Sequence, residues 1–482
     1  MVDLRSAFYI VGVFLIVLSA SMIAPTTIDL LTGNPDWKVF LAGAGATLFF
    51  GGAFVLVNSG KMAHMSLRQA FLLAALIWIF LTLFASLPFV FSELGLSFTD
   101  AFFEAMSGIT TTGSTVITNL DNAPPGVLLW RSMLQWMGGL GIIVMSISIL
   151  PLLRVGGMQM FRVEAFDIEG KALPRVAQLS GSIVVVYIVL TGVTAIALWV
   201  AGMTGFEALN HAMTTIATGG YSTSDASIGH FQSAGIEAIL TLGMLLGGIP
   251  FLLYVKFLNG DRAALSRDSQ VRTYLGILLG ATLAIAAWLT IHNGMSVLHA
   301  VQNASFSVVS IMTGTGYVAA DYGLWGTFPA AFLFFLTFVG GCAGSTACGM
   351  KVFRFQILFQ SLRCQINKMV VPHAIMRPRY NGNNVSDEVV TSVTGFFFLF
   401  GVCFLVLSVG LTATGLDFQT ALSSAATSLA NVGPGLGPIV GPSGTFQDLP
   451  DAAKWMLSVG MLVGRLEIFT VVVLFSRNFL RG

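Results

Sequence analysis

Four fifteen-residue segments of this chain align without a gap on a glycine, and each lies between two long apolar runs. They read DAFFEAMSGITTTGS (100–114), EALNHAMTTIATGGY (207–221), NASFSVVSIMTGTGY (303–317) and TALSSAATSLANVGP (420–434). The aligned glycines are Gly113, Gly220, Gly316 and Gly433. Twelve residues before each stands an alanine: Ala101, Ala208, Ala304 and Ala421. Six residues before stands a hydroxyl: Ser107, Thr214, Ser310 and Thr427. One pattern recurring in the same flanking context marks a single supersecondary unit used four times.

The flanking runs identify the solvent. Of 482 residues, 55% are hydrophobic and only 9% are charged, against about 25% charged in soluble domains. That composition belongs in lipid and implies an all-α integral membrane protein. A crossing helix needs roughly 20 apolar residues. Ten stretches qualify: about 7–25, 37–59, 70–92, 130–153, 180–202, 234–258, 273–292, 327–350, 393–412 and 452–476. The first follows Arg5 as a signal core would, but it is longer than one and a second span follows closely, so it reads as a transmembrane helix. The expected organisation is two extra helices (1–62), then pore repeats at 63–162, 163–262, 263–372 (with a broken second span) and 373–482.

Each aligned segment predicts a half-helix of about 10–12 residues, too short to cross. It must dip in from outside and return. Irregular backbone at membrane depth is tolerated only when buried or lining a water-filled cavity. Four parallel units around one axis meet that demand. Their loops would then supply rings of carbonyls, dipoles that replace a cation's water without holding it irreversibly. Glycine permits the positive φ that such a loop needs, and half-helix C-termini aim partial negative charge at the centre. The candidate ion-ligating residues are Thr111, Thr112 and Gly113; Thr218, Gly219 and Gly220; Gly314, Thr315 and Gly316; Asn431, Val432 and Gly433. Gly and Thr are also common where transmembrane helices touch, which explains one such segment but not four in register.

Nineteen of the 23 Lys and Arg residues fall in alternate loops, and the positive-inside rule makes that side cytoplasmic, with both termini inside. The other side keeps Lys38, Arg131 and Lys454 beside thirteen carboxylates, a net charge of about −10. Such a field concentrates cations at an entrance, although acids also simply avoid the positive side. The basic cytoplasmic loops, about 154–179, 259–272 and 351–392, suit an acidic partner surface or anionic lipid. Trp130, Trp136 and Trp455 read as interfacial anchors, and His211 as structural.

Two features lie below the loops. Residues 340–349, GGCAGSTACG, set Gly340, Gly341, Gly344 and Gly349 close together, each costing a helix about 1 kcal/mol against alanine. Ser345 and Thr346 can serve loosened backbone groups. The stretch reads as an intramembrane loop obstructing the pore, or as a tight helix-packing face. Arg465, in VGRLEIF, lies about 13 residues into the last span, roughly 20 Å from its outer end and level with Gly340. It reads as a fixed charge slowing cations at the pore, as a structural partner for carbonyls of the broken span, or as both. The four cysteines show no disulfide or metal spacing, and no catalytic constellation appears.

The four span–loop–span repeats, the single shared loop glycine, GGCAGSTACG and GRLE together resemble the Trk/Ktr/HKT superfamily of cation transporters, closest to its bacterial TrkH branch. The pair of spans before the first repeat fits that branch, and the resemblance covers essentially the whole chain. It implies potassium uptake across the bacterial inner membrane, with K+ as the transported ion and Rb+ and Na+ as further candidates. It also implies a homodimer with one pore per subunit and a cytosolic nucleotide-binding (NAD/ATP-type) regulatory partner, and it supports reading the 340–349 loop, with Arg465 beside it, as the gate; no cofactor and no nucleic acid are expected. Some sodium-selective plant members carry serine at the first filter glycine; glycine at all four positions here favours potassium. A cation-coupled (Na+ or H+) potassium symporter is the alternative, but symporters often show inverted repeats whereas these four are parallel. A sensor that signals through its basic loops lacks a sizeable soluble domain.

Overall fold

The computed structural model describes residues 4–60, 66–148, 156–158, 172–373, 376–477 and 479. Most of these residues are helical; the described strands are the two-residue pair Arg379–Tyr380 and Asn383–Asn384. Among the described residues seven helices are long and apolar enough to cross a membrane: Arg5–Thr32, Trp37–Val57, Arg68–Phe91, Pro125–Ser146, Gln178–Val200, Ser269–His292 and Asp387–Ala413. On Gln178–Val200 the exposed residues include Val185, Ile188, Val189, Val193 and Ile196, an apolar stripe left for lipid.

The four half-helices run Phe98–Ile109, Gly205–Ile216, Val297–Thr313 and Phe418–Ala430. Ser97, Thr204, Ser296 and Asp417 cap them, each accepting the N–H three residues on. The cap stands sixteen residues before the aligned glycine in three repeats and twenty in the third, so that half-helix is 17 residues and exceeds the expected length. The aligned alanines are all buried. Here polarity is inverted relative to a soluble protein: lipid-facing surfaces are apolar, and the buried ends of the half-helices carry Ser107, Thr214, Ser310 and Thr427.

Three expected spans are not straight. The sixth bends by 90° between Ala234–Gly247 and Phe251–Leu258, and the tenth by 112° between Asp451–Arg465 and Ile468–Phe475. Pro250 explains the first: it has no N–H and disfavours helix at Ile249. The eighth is helical only over Thr327–Leu336 and resumes as Val352–Val370, in the stretch expected to be a cytoplasmic loop. Arg354, counted with the cytoplasmic bases, is fully buried on that later helix. Trp130 is no interfacial anchor either; it is buried and donates through Nε1 to the Ala85 carbonyl at 3.0 Å. The boundaries expected at 62/63 and 162/163, and most of the 154–179 loop, lie outside the described residues.

Gly138, on Pro125–Ser148, lies so close to the first half-helix that a methyl there would overlap the Ile109 carbonyl, whereas Gly141 faces open space. Gly138→Ala should destabilise by about 1–3 kcal/mol, the usual cost of overpacking. Gly141→Ala should be neutral or slightly stabilising. Thermal unfolding of the two proteins in one detergent checks the difference.

Candidate functional site

Each half-helix ends the same way. The N–H of Thr112, Gly219, Thr315 and Val432 donates five residues back, to the carbonyl of Ser107, Thr214, Ser310 and Thr427, at 2.8–3.0 Å. The preceding N–H, of Thr111, Thr218, Gly314 and Asn431, donates three residues back, to Gly108, Thr215, Ile311 and Ser428. This paired pattern is a Schellman closure and requires a left-handed residue. Thr111, Thr218, Gly314 and Asn431 supply it, with φ of 54°, 50°, 78° and 52°. The aligned hydroxyl residues therefore serve all four closures through their backbone carbonyls.

Two residues later Gly113, Gly220, Gly316 and Gly433 are again left-handed, at 87°, 79°, 78° and 101°. Space as well as φ demands glycine here. A methyl on Gly113 would overlap the Gly219 carbonyl oxygen, one on Gly220 that of Thr315, and one on Gly316 that of Val432. One on Gly433 would lie 3.0 Å from the Thr112 carbonyl oxygen. Repeat one touches two, two touches three, three touches four, and four touches one. The contacts close into a ring, and all four glycines line one outer cavity of about 80 Å³.

Side chains tie the ring together. Tyr221 follows its glycine and donates its hydroxyl to the Glu104 carbonyl of the first half-helix at 2.9 Å. Tyr317 holds the same position in repeat three and donates to the His211 carbonyl of the second at 3.1 Å. Ser114 donates to the Gly433 carbonyl at 2.9 Å, and Asn431 Nδ2 donates to Thr112 Oγ1 at 2.9 Å. Gln135, from Pro125–Ser148, donates through Nε2 to the Gly219 carbonyl at 2.6 Å. Two carbonyls among the candidate ligands, those of Gly219 and Gly433, thus already accept side-chain hydrogen bonds. His211 is structural as expected, its ring lying between the Glu207 carbonyl and Ser222 Oγ.

At the outer mouth Arg131 is buried. Its Nε donates to Glu104 Oε1 at 2.8 Å, and its guanidinium lies 4.0 Å from the Tyr221 ring centroid. Lys454 is likewise buried and pairs with Asp100. Two of the three bases assigned to the outer surface are therefore neutralised inside the protein, so the exposed outer face is left with Lys38 as its base from that set.

Beneath the ring lies the 340–349 stretch, irregular from end to end. The Gly340 N–H donates to the Met350 carbonyl and the Val352 N–H to the Gly341 carbonyl, so the chain returns on itself. Gly344 and Gly349 are left-handed at 78° and 73°. A methyl on Gly340 would overlap the Cys348 carbonyl, and one on Gly341 would meet Ala347 Cβ at 2.6 Å. Ser345 Oγ donates to the Cys342 carbonyl at 2.6 Å. Thr346 Oγ1 lies 2.9 Å from the carbonyls of both Ile216 and Gly247. Cys348 reaches the ring itself: its Sγ lies 3.5 Å from Thr111 Oγ1, and its Cβ 3.2 Å from where a Gly314 Cβ would stand.

Arg465 meets this loop, as its depth predicted. Nη1 donates to Cys348 Sγ at 2.6 Å and to the Thr346 carbonyl at 3.4 Å, and Nη2 to the Gly138 carbonyl at 3.1 Å. Together with Cys348, Lys351, Asn431 and Glu467 it lines a cavity of about 30 Å³. Glu467 begins the bend of the tenth span with φ of 63° and accepts from Arg354 Nη2 at 2.6 Å. Sequence reasoning missed this pair, Gln135, Cys348 and Lys351. It also missed Tyr221 and Tyr317, for which a signal was present: each directly follows an aligned glycine.

Comparison with known proteins agrees with this architecture. Residues 37–480 match the family model described as TrkH, cation transport protein. The chain is 42% identical to the Trk system potassium uptake protein TrkI of Halomonas elongata, over 98% of this chain and 96% of that one. It is 37% identical to the Trk system potassium uptake protein TrkH of Escherichia coli, over 99% of each. The crystal structure of the potassium transporter TrkH from Vibrio parahaemolyticus superposes with a TM-score of 0.92 at 37% identity, covering 99% of this chain and 100% of that one.

The Arg354–Glu467 pair is buried, so removing one partner strands a charge at a typical cost of about 3–5 kcal/mol. Arg354→Met and Glu467→Gln should each lower detergent-extracted yield and melting temperature. The double variant should recover most of the loss. A double variant as unstable as the sum of the two would show that the pair is not the interaction holding the bend.

Proposed function

The chain belongs to the TrkH family of cation transport proteins, a multi-pass membrane protein, and on that premise we propose that it takes up potassium through a single pore formed by its four repeats. The curated relatives are potassium uptake proteins. The observation that supports the reading is the closed ring in which each aligned glycine rests against a carbonyl of the next repeat. In this reading Thr111–Gly113, Thr218–Gly220, Gly314–Gly316 and Asn431–Gly433 form the selectivity filter, and backbone oxygens replace the ion's hydration shell. The repeats divide near 63–162, 163–262, 263–372 and 373–482. The protein sits in the inner membrane with both termini cytoplasmic, on the distribution of Lys and Arg. It works as a homodimer under a cytosolic nucleotide-binding subunit, as the family resemblance implies.

The 340–349 loop and Arg465 form the gate of this proposal. An ion leaving the ring inward meets Cys348 first and Arg465 bonded behind it. A unit positive charge about 6 Å from the ion, at an effective dielectric near 20, repels it by roughly 2–3 kcal/mol. The same guanidinium holds the loop through the Thr346 carbonyl and Cys348 Sγ and ties it to the Gly138 carbonyl of Pro125–Ser148, so the charge and the plug act together.

Flux of K+, Rb+, Na+ and Li+ into liposomes holding the purified protein tests the filter. Parent protein should favour K+ and Rb+. Gly113→Ser should let Na+ compete several-fold better. Unchanged ratios for serine at all four glycines would sink the assignment. For the gate, Arg465→Ala should raise K+ flux several-fold with little change in the K+/Na+ ratio, since the charge repels both ions alike. Well-folded Arg465→Ala with parental or slower flux would leave the arginine only its structural bonds.

A further inference from the structure

Gly219 is a filter position with an unusual neighbour. The middle residue of each ring strand is Thr112, Gly219, Thr315 or Val432, so only the second repeat lacks a side chain there. The volume is not empty. A methyl built on Gly219 would overlap the carboxamide carbon of Gln135 and lie 2.9 Å from its Cγ. Gln135 is fully buried and comes from the inner span of the first repeat. It fills, from outside the strand, the space that the other strands fill with their own side chains.

Its carboxamide straddles the aligned glycine of the second repeat. Nε2 donates to the Gly219 carbonyl at 2.6 Å, and Oε1 accepts the Tyr221 N–H at 3.0 Å. A backbone N–H needs an acceptor and a carbonyl a donor, so only this orientation of the amide satisfies both. Both atoms flanking Gly220 are thereby fixed. Tyr221 is also the residue whose hydroxyl reaches the first half-helix, so one side chain sets the position of the strand and of its outer anchor.

We propose that Gln135 is a positioning and specificity-determining residue of the pore, holding the Gly219 carbonyl at a set direction and reducing its strength as an ion ligand. This rests on the filter reading above. A carbonyl that already accepts a hydrogen bond offers a cation a weaker field, and a weaker field favours the larger, more easily dehydrated ion. Releasing it gives the ring one mobile, stronger ligand, which favours sodium. The same contact accounts for glycine at position 219, where left-handed φ does not require it.

Proteoliposomes of full-length protein test this with K+ and Na+ flux. Gln135→Leu removes both bonds, while Gln135→Glu keeps the shape and the acceptor for Tyr221 but loses the donor. Both should lower the K+/Na+ ratio several-fold. Gly219→Ala should collide with Gln135 and lose most flux. Gln135→Ala/Gly219→Ala should regain flux with the lowered ratio, a rescue that general destabilisation does not produce. If Gly113→Ser shifts the ratio while folded Gln135→Glu and Gln135→Leu keep the parental one, the proposal is overturned and the filter reading stands. Parental ratios throughout overturn both.

Discussion

Every N–H and C=O at membrane depth must find a partner inside the protein, because lipid offers none. The central part of this molecule answers that demand by joining two defects. The sixth span breaks at Pro250 and frees the carbonyls of Gly247 and Gly248. The eighth span breaks a few residues past Leu336 and frees N–H groups. The Thr346 N–H donates to Gly247 at 3.2 Å, the Cys342 N–H to Gly248 at 3.1 Å, and the Phe251 N–H returns to Gly344 at 2.9 Å. Each break supplies the partners that the other frees. Together they hold an irregular loop directly under the glycine ring.

Charge obeys the same rule. Arg131 with Glu104 and Arg354 with Glu467 are buried pairs of opposite sign, and Lys454 with Asp100 is a partly buried one. Each joins parts distant in sequence, and Arg354–Glu467 ties the helix after the loop to the bend of the last span. Arg465 is bonded differently, to two carbonyls and a thiol. Those partners engage its two terminal nitrogens, leave Nε without one, and leave its charge uncancelled by a bonded carboxylate. That difference gives one buried arginine a reach into the cavity that a paired one lacks.

The repeat was legible because its residues answer to local backbone demands. Left-handed φ and close approach at Gly113, Gly220, Gly316 and Gly433 leave little choice of side chain, so the pattern survives in one sequence. The loop was legible for a similar reason, since Gly340, Gly341, Gly344 and Gly349 each lie where a methyl meets backbone or is disfavoured by φ. What stayed hidden depends on tertiary partners. Nothing near Gln135 in the sequence points to Gly219, 84 residues away. Leu466 and Glu467 carry no helix breaker, and the Arg354 that bonds Glu467 at the bend lies 113 residues away. Pro250 was the missed local clue, an ordinary breaker inside a run apolar enough to look continuous.

The ring is closed by four loops of one polypeptide, and this frees it from an obligation that binds assemblies of identical subunits. A homotetramer must repeat every device four times around its axis. Here Gln135 and Tyr317 act on the second repeat, Tyr221 on the first and Ser114 on the fourth, and Pro434 stands where the other repeats carry Ser114, Tyr221 and Tyr317. Each quarter can be altered by a single mutation without altering the other three. Carrying all four repeats in one polypeptide thereby gives a ring whose corners are separately adjustable.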